Sequence, residues 1–107
     1  MTRRPLDGVR IVDSSYVIAM PYAFGIMADL GAEVIKIEGP AHIDNTRIGA
    51  GAGIFPDNQQ GTEWWNRGGH FTQLNRGKKS LTLDLSKEEG RDALKDLIRI
   101  SDVFVEN

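Results

Sequence analysis

One turn of the chain, Asp13-Ser-Ser-Tyr-Val-Ile-Ala-Met-Pro21, joins an apolar run to a helical pattern and is well placed for chemistry. At the carboxyl end of a strand and the amino end of a helix, free backbone N–H groups and a partial positive charge suit a phosphate or a polarised carbonyl. The turn has no glycine, so the dinucleotide fingerprint G-x-G-x-x-G is absent, and a plain connection explains the position equally well. Asn75-Arg-Gly-Lys-Lys-Ser80 sets three cations before a strand. Such a patch can hold a phosphate or diphosphate, but a solvated basic turn has the same pattern. Glu38 ends a strand where a ribose-binding acid could stand; without the glycine turn, a solvated strand end is the simpler reading. Asp44-Asn-Thr-Arg47 reads as a local carboxylate–guanidinium bracket that fixes the start of a long loop. His42 and His70 stand apart from each other and from acids at ligand spacing, so no metal site is expected. No Ser, His and Asp spacing forms a hydrolytic triad. Trp64-Trp65 could stack on a base, although core or subunit contact is commoner for such a pair.

The elements that must position these groups are short. Asp7-Gly8 is a turn signal before Val9–Val12, which reads as a buried strand. Pro21 opens a helix carrying Ala23, Phe24, Ile26, Met27 and Leu30, and Gly31 sits where a left-handed cap belongs. Glu33–Glu38 is a second strand. Residues 39–73 hold more than half of the glycines, both tryptophans and both histidines, and read as a long irregular loop. Ser80–Leu85 alternates as a strand does. Ser86-Lys-Glu-Glu89 has the form of a capping box opening a helix with Ala93, Leu94, Leu97 and Ile98 on one face. Asp102–Glu106 is a fourth strand. This order predicts an α/β fold with a mostly parallel sheet. Parallel sheets are buried on both faces, so a last strand without a following helix is expected to belong to an incomplete fold.

Composition excludes several classes. The 107 residues bound the chain to one domain, and 40% hydrophobic and 26% charged residues are a globular balance. A net charge of -2 disfavours nucleic acid as a partner. The absence of cysteine excludes disulfides and thiolate chemistry. No apolar stretch is long enough to span a bilayer, and the amino terminus lacks a signal-peptide run. The expectation is a cytoplasmic protein without membrane or nucleic-acid partners.

Taken in order, several segments resemble the family III CoA-transferases, which include formyl-CoA, carnitine, bile-acid and aromatic-succinate CoA-transferases and α-methylacyl-CoA racemases. They are Pro5–Asp13, Ala28–Glu38, Asp44-x-Thr-Arg47, Leu74–Ser80 with Leu83-Asp-Leu85, Glu89-Gly-Arg91, and Ser101–Asn107. The resemblance implies that residues 1–107 are the amino-terminal part of a Rossmann-like, CoA-binding large domain. Two interlocked subunits form the family's homodimer. CoA or acyl-CoA is then substrate rather than bound cofactor, with a carboxylic acid as the other partner. In the transferases an aspartate carboxylate attacks the thioester; no aspartate of this chain matches it, so that residue is expected beyond Asn107.

What carries over is a CoA site. Val17, Ile18 and Ala19 match the first-turn segment beside CoA and its thioester. Gly39 falls where many members place an arginine on the nucleotide. Leu83, Asp84, Leu85 and Ser86 match the segment beside the adenosine, with Ser86 in place of a frequent lysine, and Asn107 begins another CoA-contacting turn. Formyl-CoA transferases tend to carry glutamine at the position of Ile18, so an aliphatic side chain implies a larger or more apolar acid. The resemblance thus leads to an acyl-CoA:carboxylate CoA-transferase. An epimerase of the same fold, or a non-catalytic binding or assembly fragment, is the alternative.

Overall fold

The computed structural model describes residues 2–48 and 55–107. Four strands, β1 (Arg10–Ser14), β2 (Glu33–Glu38), β3 (Lys79–Thr82) and β4 (Val103–Glu106), form one sheet in the order β3-β2-β1-β4. Every pairing is parallel, with Ile11 opposite Val34 and Val103, and Asp13 opposite Lys36 and Val105. The α/β architecture expected from the sequence is therefore present, with a wholly parallel sheet. Side chains alternate between the faces of a strand, so Ile11, Asp13, Val34 and Lys36 share one face while Val12, Ser14, Ile37 and Phe104 share the other.

Helix α1 (Ala19–Asp29) covers the first face. Its Phe24 joins Ile11, Ala32 and Val34 in the core, with Val9, Met27 and Val105 packed around them. Helix α1 begins two residues before the expected Pro21. The first turn of a helix has no intrahelical acceptors for its N–H groups, so a proline there breaks nothing. Gly31 ends the helix as expected: its φ of +111° is left-handed, and a Cβ there would lie 2.4 Å from Asp7 Oδ1.

The described residues of the long segment contain three single-turn 3₁₀ helices and α2 (Gly69–Leu74). Its residues 49–54 lie outside the described part. The tryptophans meet edge to face at 5.7 Å, and neither is buried. Helix α3 (Glu88–Arg99) lies over the second face, and its apolar residues Leu94, Leu97 and Ile98 are only half-buried. The capping box does not form. Lys87 is the N-cap and makes no side-chain cap bond. Ser86 instead turns back, its N–H and hydroxyl donating to Asp84 Oδ1 at 3.1 and 2.6 Å.

At the amino edge of the sheet, Glu33 accepts from both Arg10 and Lys79. The bonds from Lys79 and then Arg10 hold its carboxyl at about 2, against an ordinary 4.5. A depressed folded-state pKa gives stability that is present above the unfolded value and lost as pH falls through the folded one. The Glu33 contribution should therefore disappear between pH 4.5 and about 2. In an NMR titration its carboxyl carbon should show a midpoint near 2; an ordinary midpoint would mean that the double pairing does not persist in solution.

Candidate functional site: a cleft at the carboxyl edge of the sheet

The carboxyl ends of parallel strands are where open α/β sheets hold ligands. Here that edge carries a cleft of about 650 Å³ on the α3 face, a size typical of small-molecule sites. Ile37, Leu83, Leu85, Leu94 and Phe104 make its walls apolar, and Tyr16, His42, Asp84, Ser86, Glu106 and Asn107 supply its polar groups. No lysine or arginine is among the lining residues. A cation reaches its rim through Lys87, whose ammonium stands 3.9 Å from Asp84 Oδ2.

Six residues that the resemblance assigned to CoA, Gly39, Leu83, Asp84, Leu85, Ser86 and Asn107, line this one cleft. Val17, Ile18 and Ala19 do not. They form an exposed shoulder next to Tyr16, at the start of α1. Sequence reasoning missed Tyr16, His42, Leu94, Phe104 and Glu106 as lining residues. The alternation of β4 and the apolar stripe of α3 were the available signals, but neither says which elements meet.

The wall formed by Asp84–Ser86 is fixed from two sides. Ser86 bonds lower the Asp84 carboxyl below its ordinary range. Arg91 of α3 donates to the Leu85 and Ser86 carbonyls at 3.0 and 2.9 Å, which gives the Glu89-Gly-Arg91 motif a positioning task. Gly39 and His42 pair in a small antiparallel bridge, and the His42 carbonyl accepts from the Tyr16 hydroxyl at 2.9 Å. Burial pushes the Tyr16 phenol up, and the charge of Glu38 adds to the effect. The Asn107 amide is engaged at both ends: its Oδ1 accepts from Tyr16 N–H and its Nδ2 donates to Tyr16 C=O, each at 3.0 Å.

On the opposite face, three buried ion pairs brace the first turn and the long segment. Lys78 Nζ donates to Asp13 Oδ2 at 2.7 Å, to Pro21 C=O at 2.9 Å and to Asn75 Oδ1 at 2.8 Å. Lys36 Nζ donates to Asp44 Oδ2 and to Ser15 C=O, both at 2.8 Å. Arg47 grips Glu38 through two bonds, of 2.9 and 2.7 Å, and stacks 3.5 Å from the centre of the Phe71 ring.

These pairs correct three expectations. Glu38 is 4% exposed and held by Arg47, so it is not a solvated strand end. Asp44 and Arg47 do not bracket each other; each reaches instead to a β2 side chain. The basic turn is divided: Lys79 is exposed beside Glu33 and Arg76 pairs at the surface with Asp29, as a solvated turn would have it, but Lys78 is buried on Asp13. The physical reason is the same in each case. Charges brought together in the interior, Glu38 with Arg47, Asp44 with Lys36 and Asp13 with Lys78, must neutralise one another because they have left water.

Among the described residues there is no group of three or more His, Cys, Asp and Glu side chains suited to a metal ion, and no helix is long and apolar enough to cross a membrane.

A wholly parallel open sheet with helices on both faces defines an α/β protein of Rossmann-like architecture. Within that class the chain belongs to CoA-transferase family III, whose family model matches residues 6–107. It is 40% identical over 104 residues to the succinyl-CoA:glutarate CoA-transferase of Mus musculus, covering 97% of this chain and 22% of that protein. It is also 40% identical to the formyl-CoA:oxalate CoA-transferase of Streptomyces coelicolor, over 100% of this chain and 23% of that protein. A crystal structure of a CAIB/BAIF family protein from Brucella suis superposes with a TM-score of 0.80 at 36% identity, covering 99% of this chain and 26% of the other. The chain thus spans about a quarter of the length of the relatives it matches.

Proposed function

We propose that this chain is part of an acyl-CoA:carboxylate CoA-transferase and supplies part of its CoA site. The observation that carries the reading is the gathering of Gly39, Leu83–Ser86 and Asn107 around one cleft at the carboxyl edge. The cleft would take the adenosine end of the coenzyme, between the leucine walls and the Asp84–Ser86 turn. Val17, Ile18 and Ala19, on the shoulder beside it, would meet the pantetheine arm and the thioester. Two of the aspartates are already engaged: Asp13 is fully buried on Lys78, and Asp84 is bonded to Ser86. Asp13 is thereby shut away from any thioester, and Asp84 serves as a wall of the cleft with its Oδ1 tied to Ser86; we place the catalytic carboxylate elsewhere in the whole protein. That carboxylate would displace CoA as thiolate, and returning CoA to an acid through anhydride and aspartyl-CoA intermediates divides one exchange into easier steps. The exposed aliphatic Ile18 suits a larger or more apolar acid than oxalate. Cytoplasmic location and an interlocked homodimer complete the reading.

The intact natural protein, given acetyl-CoA or succinyl-CoA with a panel of acids that includes glutarate, oxalate and apolar acids, should form a new CoA ester detectable by mass spectrometry. Absence of acyl exchange with every donor would overturn the transferase. Deuterium wash-in at the α-carbon without exchange would mark an epimerase instead.

A further inference from the structure

We infer that the buried Lys36–Asp44 pair is a positioning device for the first turn: it fixes the left-handed Val17 and, through it, the shape in which the turn meets an acyl-CoA. The inference rests on the preceding reading of that turn as the thioester end of the site and deepens it.

Val17 has a φ of 72°, a conformation that a β-branched residue avoids because its Cβ crowds the backbone. Its side chain is 47% exposed, so core packing does not hold it there. The support is polar and comes from outside the turn. Val17 N–H points at Asp44 Oδ1, 3.4 Å away, and the preceding Ser15 C=O accepts from Lys36. Asn107 holds both backbone groups of Tyr16. Strained residues persist only where their surroundings over-determine them, and such strain collects at functional sites.

Asp44 itself has no freedom to move. Its Oδ1 accepts from the Thr46 N–H at 2.9 Å and hydroxyl at 2.7 Å, and its own N–H donates to Glu38. Burial pushes the Asp44 carboxyl up, but the bonds from Lys36 and Thr46 outweigh it and hold the group ionised. The Lys36 and Asp44 side chains are 2% and 0% exposed and do not line the cleft. Any influence they have on a ligand must therefore pass through the turn.

The test is a double-mutant cycle in the intact natural protein, with acetyl-CoA affinity from calorimetry and thermal unfolding as separate readouts. Val17→Gly can adopt φ 72° without strain, so its melting temperature should be unchanged or higher. It should nevertheless bind acetyl-CoA about tenfold more weakly, the equivalent of fixing one residue's backbone on binding. Asp44→Asn should weaken binding similarly, and in the Val17→Gly background it should cause no further loss. Full affinity in Val17→Gly, or losses that simply multiply in the double variant, would overturn the inference. If Asp44→Asn does not fold, Lys36→Met takes its place in the cycle, with the same expected result and the same result that overturns the inference. A wild-type protein that does not bind acetyl-CoA defeats the thioester reading and this inference with it; one that binds, with an equally tight Val17→Gly, defeats this inference only.

Discussion

Lys78→Met is expected to destabilise the fold by about 3–5 kcal/mol, the usual cost of removing one partner of a buried ion pair. The ammonium and the Asp13 carboxylate are 2% and 0% exposed, so neither has water to fall back on. Methionine fills much of the same volume but donates nothing. Asp13 Oδ2, Pro21 C=O and Asn75 Oδ1 would lose the donor they share. Asp13 would keep only the Ser15 N–H and hydroxyl on its other oxygen. The pair is not a simple gain for the native state, because burial pushes the Lys78 ammonium down and the Asp13 charge only partly opposes it. Its effect is to orient: it ties the end of β1, the start of α1 and the turn before β3 to one point. The double variant Asp13→Asn with Lys78→Met removes both charges while keeping an acceptor for Ser15, and it should recover most of the loss. Urea denaturation of the intact protein measures both. A single-variant cost below about 1 kcal/mol, the range of an exposed pair, would show that the lysine is solvated after all.

That lysine also marks the limit of what local sequence discloses. The strand Glu33–Glu38 has the bounds expected of it, and Gly31 caps α1 because glycine tolerates the left-handed turn pressed against Asp7. Those features are local. The Asp13–Lys78 bond joins residues 65 apart, and nothing in the spacing of Asn75–Ser80 distinguishes a solvated basic turn from one neutralised by the sheet. Glu38 and Arg47 stand only nine residues apart, but their pairing depends on how the chain folds back between them, which their spacing does not show. The cap at Ser86 failed differently: two local bonding schemes competed, and the turn onto Asp84 won over the capping box. For the cleft, the family resemblance supplied Gly39, Leu83–Ser86 and Asn107. Leu94 and Phe104 needed the strand order β3-β2-β1-β4, which brings β4 beside β1 and sets α3 over both.

The dependence of the cleft on α3 leads to the other large effect. Gly90→Ala should cost about 1–3 kcal/mol, the range of overpacking, although alanine is the better helix former by up to about 1 kcal/mol. A Cβ at this position would lie 2.1 Å from Asp84 C=O oxygen and 2.7 Å from its carbonyl carbon. Both are backbone atoms, so no side chain can swing aside. The first turn of α3 would have to lift off the Asp84–Ser86 segment, which carries one wall of the cleft. Arg91 follows directly in the chain, and its bonds to Leu85 and Ser86 would lengthen with the same movement. Acetyl-CoA affinity should then fall by about tenfold, or about 1.4 kcal/mol, at temperatures where the variant is still folded. Asp92→Ala is the matching control: it adds the same helix former on the exposed side of α3 and should leave affinity unchanged. Because stability and affinity are read separately, the result separates two accounts of the glycine. A variant that is less stable but binds normally would make Gly90 a packing residue only, and the Asp84–Ser86 wall would no longer support a ligand-holding role. Parallel losses in both would tie the seating of α3 on that wall to the binding of the coenzyme.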